Sequence, residues 1–266
     1  MISSTTNKQV KFVNALVKKA KTRREEDLFV AEGLRMCAEI PKDRIHTLYI
    51  SESFSKTKEC KALREGVKHI ELVTDEVFKS LSDTQTPQGI LALVKQYHYT
   101  LDEVADANKK AGKPALLMVL ETIQDPGNLG TILRAGEGAG VTGVVMDANT
   151  ADIYNPKVIR STMGSVLRMP FVYVEDFHGT LEELKQRKIR LFAAHLKGEH
   201  AYDLEDYTAD SAFLIGNEGN GLTEETAQMA DTYVRIPMEG RVESLNAAVA
   251  ASVLMFEAAR QRRNRK

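Results

Sequence analysis

The chain has 266 residues, 43% of them apolar, enough for one large domain or two modest ones with real cores. Its two cysteines, Cys37 and Cys60, form no CxxC pair, which excludes a disulfide framework and a cysteine zinc set and points to a reducing compartment. The net charge of −1 hides a segregation: residues 1–24 carry seven bases and no acid, residues 260–266 carry five and none, and the middle carries 24 bases against all 37 acids. Basic ends on an acidic body suit a polyanion such as RNA, and equally two solvated tails. No apolar run approaches the ~18 residues of a membrane span and the polar N-terminus has no signal core, so a cytoplasmic protein without membrane partners is expected.

In chain order, residues 7–22 read as a basic amphipathic helix, with Val10, Val13, Ala15, Leu16, Val17 and Ala20 among lysines. "HTLYIS" (46–51), "KHIELV" (68–73) and "GILALV" (89–94) read as strands. Residues 55–66 and 74–83 read as helices between them, the second capped by Thr74. The polar, lysine-rich stretch 95–114 reads as a linker or surface helix. A second alternation follows, with strands at 115–120, 141–147, 190–194, 211–216 and 232–236. Its helices fall at 128–139, 155–163, 179–188, 223–230 and 244–262. Strands alternating with helices predict an α/β fold whose parallel sheet is covered on both faces. The domain division is then 1–96, a linker at 97–113, and 114–266.

Three polar segments interrupt this pattern. The first, "QDPGNLGTILRAGEGAG" (124–140), follows an apolar strand and invites comparison with nucleotide loops. It lacks GxGxxG directly after the strand, and no glycine in it precedes a lysine, so dinucleotide and phosphate-loop fingerprints both fail. Asp125 before Pro126 suits a helix cap followed by a first-turn proline. Leu129, Ile132 and Leu133 then face the core and Arg134 another side. There it can grip a phosphate or carboxylate with its fork, or form a surface salt bridge.

The second segment, "FLIGNEGNGLTEE" (213–225), places three glycines where a ligand could approach the backbone, although turn chemistry alone accounts for them too. The third, "VRIPMEGRVESLNAAVAASVLMFEAAR" (234–260), ends a strand and opens a long helix for which Ser244 is the expected cap. Small apolar residues on several faces of that helix predict close packing, within the chain or against another subunit.

Together these three segments resemble the ordered motifs of the SpoU (TrmH-like) branch of the SPOUT RNA 2′-O-ribose methyltransferases, over about residues 115–260. "FVAEGLRMCAEI" and "LSDTQTPQGILALV" resemble the substrate-binding domain of many members, related to a ribosomal-protein fold. The resemblance implies a C-terminal domain with a deep trefoil knot, an exception to the rule against threaded loops. It also implies a homodimer with the site near the subunit interface, and S-adenosylmethionine as methyl donor, with no metal. Carried over by motif, Asn128, Arg134, Glu218, Ser244 and Asn246 are the catalytic set. Ala194, His195, Leu196, Gly216, Asn217, Glu218, Gly219, Ile236, Met238 and Leu245 are the cofactor set.

In that scheme Arg134 orients an RNA phosphate and the ribose hydroxyl and serves as base. The last role asks much of a guanidinium whose pKa exceeds ~12. Asn128 and Asn246 hold Arg134 or the ribose, Glu218 orients them, and Ser244 caps the helix and touches RNA or cofactor. The six histidines show no metal-binding spacing. Ribosomal RNA is the expected substrate, favoured by the separate N-terminal domain and basic first helix. The alternatives are tRNA, a resistance enzyme for one ribosomal nucleotide, or a non-catalytic RNA-binding assembly factor.

Overall fold

The computed structural model describes residues 1–198 and 200–264; Arg265 and Lys266 of the basic C-terminal cluster lie outside the described residues. The chain forms two compact units, one of Met1–Tyr97 with Asp152–Leu167, the other of His98–Ala151 with Arg168–Lys266.

In the first unit, α1 (Lys8–Lys18) starts at Asn7, whose side chain accepts from Gln9 N, and buries Val10, Val13 and Leu16. The single helix expected over 7–22 is broken at Lys19, which is extended, and resumes as α2 (Ala20–Glu26). Arg23 explains how the break is tolerated. It is 3% exposed and donates to the carbonyls of Leu16 and Val17 at 2.6 and 3.1 Å, satisfying groups that the interruption leaves without helical partners. Arg23 is therefore a structural residue, not part of the RNA-facing charge expected of the N-terminus.

The unit continues with β1 (Leu28–Glu32), α3 (Leu34–Glu39), β2 (Ile45–Ser51), α4 (Glu52–Ser55), α5 (Lys58–Arg64), β3 (Ile70–Val73), α6 (Asp75–Leu81) and β4 (Ile90–Lys95). Sequence reasoning missed β1 and α3. It also missed α4, capped by Ser51, while the helix expected over 55–66 is α5, capped by Thr57. Thr74 caps α6 as expected, accepting from Val77 N. The strands form a sheet ordered β1-β4-β2-β3, antiparallel except for β2 with β3. One face buries Val30, Tyr49, Leu91 and Leu93 beneath α1 and α6.

The second unit opens with α7 (Leu101–Ala105), held by a Thr100–Glu103 capping box inside the stretch read as a linker. Then come β5 (Leu116–Leu120), α8 (Pro126–Ala139) and β6 (Gly143–Asp147). Gly143 is required because a Cβ there would lie 2.5 Å from Val104 of α7. The next helix, α9 (Pro156–Thr162), falls in the segment that returns to the first unit and packs on β1. Arg23 donates to Asp152 Oδ2 from Nε at 2.8 Å and Nη2 at 2.6 Å, and Tyr154 stacks on Phe29 at 4.7 Å.

The second unit resumes with β7 (Phe171–Val174), α10 (Phe177–Gln186), β8 (Arg190–Ala194), β9 (His200–Ala201), β10 (Ser211–Ile215), α11 (Glu224–Gln228), β11 (Thr232–Arg235) and α12 (Ala247–Arg263). Its seven strands are all parallel, ordered β7-β6-β5-β10-β8-β11-β9. Every residue of β5, β6 and β10 is buried, as a sheet covered on both faces requires. Of the strands, β7 and β9 were not legible. At the far end of α12, Arg262 donates to the carbonyls of Tyr207, Pro114, Ala115 and Ala209. Arg260 is paired with Glu257. These two bases of the C-terminal cluster are engaged within the chain.

Candidate active site

The C-terminal ends of β5, β8, β10 and β11 define one region, as open parallel sheets generally do. After β5, the side chain of Asp125 accepts from Asn128 N at 2.8 Å and Pro126 takes the first turn of α8, the cap the sequence predicts. This holds Asn128 at the start of the helix with its amide turned to two distant residues. Its Nδ2 donates to Glu218 Oε1 at 3.0 Å, and its Oδ1 accepts from Asn246 Nδ2 at 3.0 Å. Glu218 also accepts from the backbone N–H of Asp125 at 2.9 Å and Gln124 at 3.1 Å. Partial burial pushes the Glu218 pKa up, but these donors outweigh it and hold the carboxyl below the ordinary glutamate range.

Asn246, not Ser244, caps α12: its Oδ1 accepts from Ala248 N at 2.9 Å and Val249 N at 3.3 Å. Helical geometry begins only at Ala247, so Ser244 stands in the preceding loop, where it lines the cavity described next. Of the two roles expected of Asn128 and Asn246, holding Arg134 or the ribose, the first is corrected. Asn128 bonds to both Glu218 and Asn246, and neither asparagine bonds to Arg134. Arg134 is exposed on α8 and makes no hydrogen bond or ion pair among the described residues. It lies six residues beyond Asn128, about 240° further round the helix at 100° per residue. The structure thus brings together Asn128, Glu218 and Asn246 of the expected catalytic five, with Ser244 in the lining of the adjacent cavity and Arg134 bonded to none of them among the described residues.

A cavity of about 330 Å³ opens beside Glu218, within the range of small-molecule sites. All ten residues of the expected cofactor set line it: Ala194, His195 and Leu196 after β8, Gly216 to Gly219 after β10, Ile236 and Met238 after β11, and Leu245 before α12. Leu222, Val234, Arg235, Glu243, Ala247 and Ala250 also line it and were missed. Only the alanines carried a signal, as part of the small-residue face of the last helix. Apolar side chains and turns of exposed backbone suit an adenosine and a polar tail.

Two glycines of "GNEGNG", Gly216 and Gly221, have a reason besides ligand access. A Cβ on Gly216 would lie 2.1 Å from the backbone of Gly221 and Leu222, and Gly221 has φ +71°. Asn217 and Gly221 exchange backbone hydrogen bonds at 3.0 and 2.9 Å, closing the loop on itself. Turn chemistry fixes these two positions. His195 uses its backbone N–H to reach Val234 O at 3.0 Å, while its ring Nδ1 accepts from Lys197 N at 3.1 Å. Among the described residues no group of three or more His, Cys, Asp or Glu side chains could hold a metal ion. No helix among them is long and apolar enough to cross a membrane.

Fold and site together define an α/β architecture with a parallel sheet and a small-molecule cavity at its strand ends, joined to a second α/β unit, and comparison with known proteins says which family has both. Residues 115–256 match the SpoU rRNA Methylase family, and residues 7–92 match the MRM3-like substrate binding domain. The chain belongs to the SpoU rRNA methylase family, and is an RNA methyltransferase with S-adenosylmethionine as methyl donor. It is similar to the 23S rRNA (guanosine(2553)-2′-O)-methyltransferase RlmP of Bacillus subtilis (strain 168), 29% identical over 96% of this chain and 97% of that one. The SpoU methyltransferase AviRb of Streptomyces viridochromogenes, solved with AdoMet, superposes with a TM-score of 0.87 at 26% identity, covering 98% of this chain and all of that one. An AdoMet-bound rRNA methyltransferase from Sinorhizobium meliloti gives a TM-score of 0.82 at 28% identity over 97% of each chain.

Proposed function

We propose that this protein transfers a methyl group from S-adenosylmethionine to a ribose 2′-hydroxyl of ribosomal RNA, in the cytoplasm. The observation that carries the reading is the meeting of the Asn128–Glu218–Asn246 network with the 330 Å³ cavity at the ends of the sheet strands. Full-length likeness to RlmP, substrate-binding domain included, supports ribosomal RNA over tRNA.

When bound, S-adenosylmethionine supplies a methyl group on an activated sulfonium. The chain's own task is then to position the ribose and remove its proton. In this reading the ten lining residues hold the cofactor, mainly through backbone, with Ser244 at the rim. Glu218 stays ionised and fixes Asn128, which fixes Asn246, and the pair forms the edge against which the ribose is set. Arg134 orients an RNA phosphate and the hydroxyl, and the proton passes to that phosphate, or to Arg134 only where its guanidine is held neutral.

Because Arg134 makes no bond to the network within one chain, we place the complete site in a homodimer. The exposed Val249 and Phe256 of α12, 48% and 47% accessible beside the packed α8, support that surface as the interface. The trefoil knot belongs to the same proposal. It is supported by Gly198, where a Cβ would lie 2.9 Å from the backbone of Val234 and Arg235, so that the chain after β8 runs tightly against β11. In the first unit, Lys8, Lys11, Lys18 and Lys19 are exposed on α1 and its end, and provide a phosphate-binding face on the RNA-binding domain.

The test is incubation of purified protein with methyl-labelled S-adenosylmethionine and ribosomal RNA or tRNA, followed by nucleoside analysis. Label in a 2′-O-methylated nucleoside from ribosomal RNA is expected. Label in tRNA alone, or on a base, would overturn the assignment.

A further inference from the structure

Two buried carboxylates sit just behind the site and line neither the cavity nor the Asn128 network. Glu121 accepts from Thr223 N and Thr223 Oγ1, both at 2.8 Å, and from Thr226 Oγ1 at 2.5 Å, which anchors the start of α11. Asp147, the last residue of β6, is 7% exposed. Its Oδ1 accepts from Thr122 N at 2.8 Å and Thr150 Oγ1 at 2.6 Å, and its Oδ2 accepts from Thr122 Oγ1 at 2.7 Å. A dry carboxylate with three donors is a strong anchor.

What Asp147 anchors is unusual. Thr122 has φ +55°, a left-handed conformation that β-branched residues seldom adopt. In that conformation its carbonyl accepts from Asn217 Nδ2 at 2.9 Å. Asn217 lines the cavity, and its Oδ1 accepts from Gly219 N at 2.9 Å and Asn220 N at 3.1 Å. A relaxed Thr122 would turn its carbonyl away and release the Asn217 side chain. The hydrogen bonds therefore run from Asp147 through Thr122 to the loop that walls the cavity.

We propose that Asp147 is a positioning residue for the cofactor loop, acting by holding Thr122 in its left-handed conformation. The inference rests on the reading of the cavity as the S-adenosylmethionine site, and wild-type binding in the same assay checks that reading separately.

The test is calorimetric binding of S-adenosylmethionine to the full chain, alongside thermal melts and steady-state kinetics. Asp147→Asn cannot accept from both Thr122 donors at once. It is expected to raise the cofactor Kd on the order of tenfold, with kcat at saturation changed by less than about threefold. Glycine takes φ +55° without strain. Adding Thr122→Gly to Asp147→Asn should therefore return the Kd to within about threefold of wild type, while the melting midpoint falls further because glycine loosens the unfolded chain. A merely structural role would move affinity and melting together. If Asp147→Asn does not fold, Thr122→Ala and Thr122→Gly are compared in the wild-type background. Alanine keeps the strain and loses the hydroxyl anchor, so it should weaken binding about threefold more than glycine does. A wild-type Kd in Asp147→Asn, no recovery in the double variant, or equal binding by the two Thr122 variants would overturn the proposal. Failure of the wild type to bind would overturn the reading of the cavity instead.

Discussion

Asn128 uses both ends of one amide, giving to Glu218 and taking from Asn246, and this fixes what each neighbour can do. Glu218 is committed to three donors, Asn128 Nδ2 and the backbone N–H groups of Asp125 and Gln124, and is a brace, while Arg134 makes no hydrogen bond or ion pair among the described residues. Arg134→Ala should therefore lower kcat by at least about 100-fold, the scale of losing one transition-state contact. Cofactor affinity, measured by calorimetry, should stay within about threefold. A loss of affinity equal to the loss of turnover would place Arg134 in the cavity wall. The depressed pKa of Glu218 gives a second expectation. Its stabilising bonds are present above the carboxyl's unfolded pKa and are lost as pH falls through the lower folded one. Unfolding midpoints followed from pH 7 to 3 should show that acid loss in the wild type and a shallower one in Glu218→Gln.

At the scale of elements, α12 is held at both ends, by the Asn246 cap and by Arg262 on four carbonyls, and presents Val249 and Phe256 outward between them. Phe256→Glu should weaken the proposed dimer by at least about tenfold in Kd, read by sedimentation, because a charge would be buried at the centre of an apolar contact. In the first unit, Arg23→Ala removes the partner of Asp152 and strands two carbonyls. It should lower stability by about 2–4 kcal/mol, visible as a shifted urea midpoint with unchanged slope. Some elements were plain in the sequence. β5, β6 and β10 read as strands because burial on both faces writes an unbroken apolar run. Others were not. Four-residue β7 is only half-buried, and β1 abuts the charged "RREED" and pairs with the distant β4, Leu28 with Lys95 through Glu32 with Leu91. The cap of α12 was misassigned by two residues because Ser244 and Asn246 are both good caps, and only the backbone after Leu245 decides between them.

For the whole molecule, the legible part was the class: two α/β patterns, basic ends, and three polar motifs in order. The illegible part was long-range pairing. Nothing local in "TRREE" announces that Arg23 will meet Asp152, 129 residues later, or that a segment within the methyltransferase match will pack in the other unit. The candidate site shows the same division. Residue types and order named Asn128, Glu218 and Asn246, but which of them bond to each other, and that Arg134 bonds to none of them, depends on the crossing of distant loops. Basic residues also proved a mixed population, since Arg23 and Arg262 serve the fold while Lys8, Lys11, Lys18 and Lys19 remain exposed.

The most direct test of the central claim is mass-spectrometric mapping of ribose methylation in total RNA from cells with and without the gene. One 2′-O-methyl group should vanish from ribosomal RNA on deletion, return with the wild-type gene, and fail to return with Arg134→Ala. An unchanged ribosomal RNA map, or a map restored by Arg134→Ala, would contradict the account.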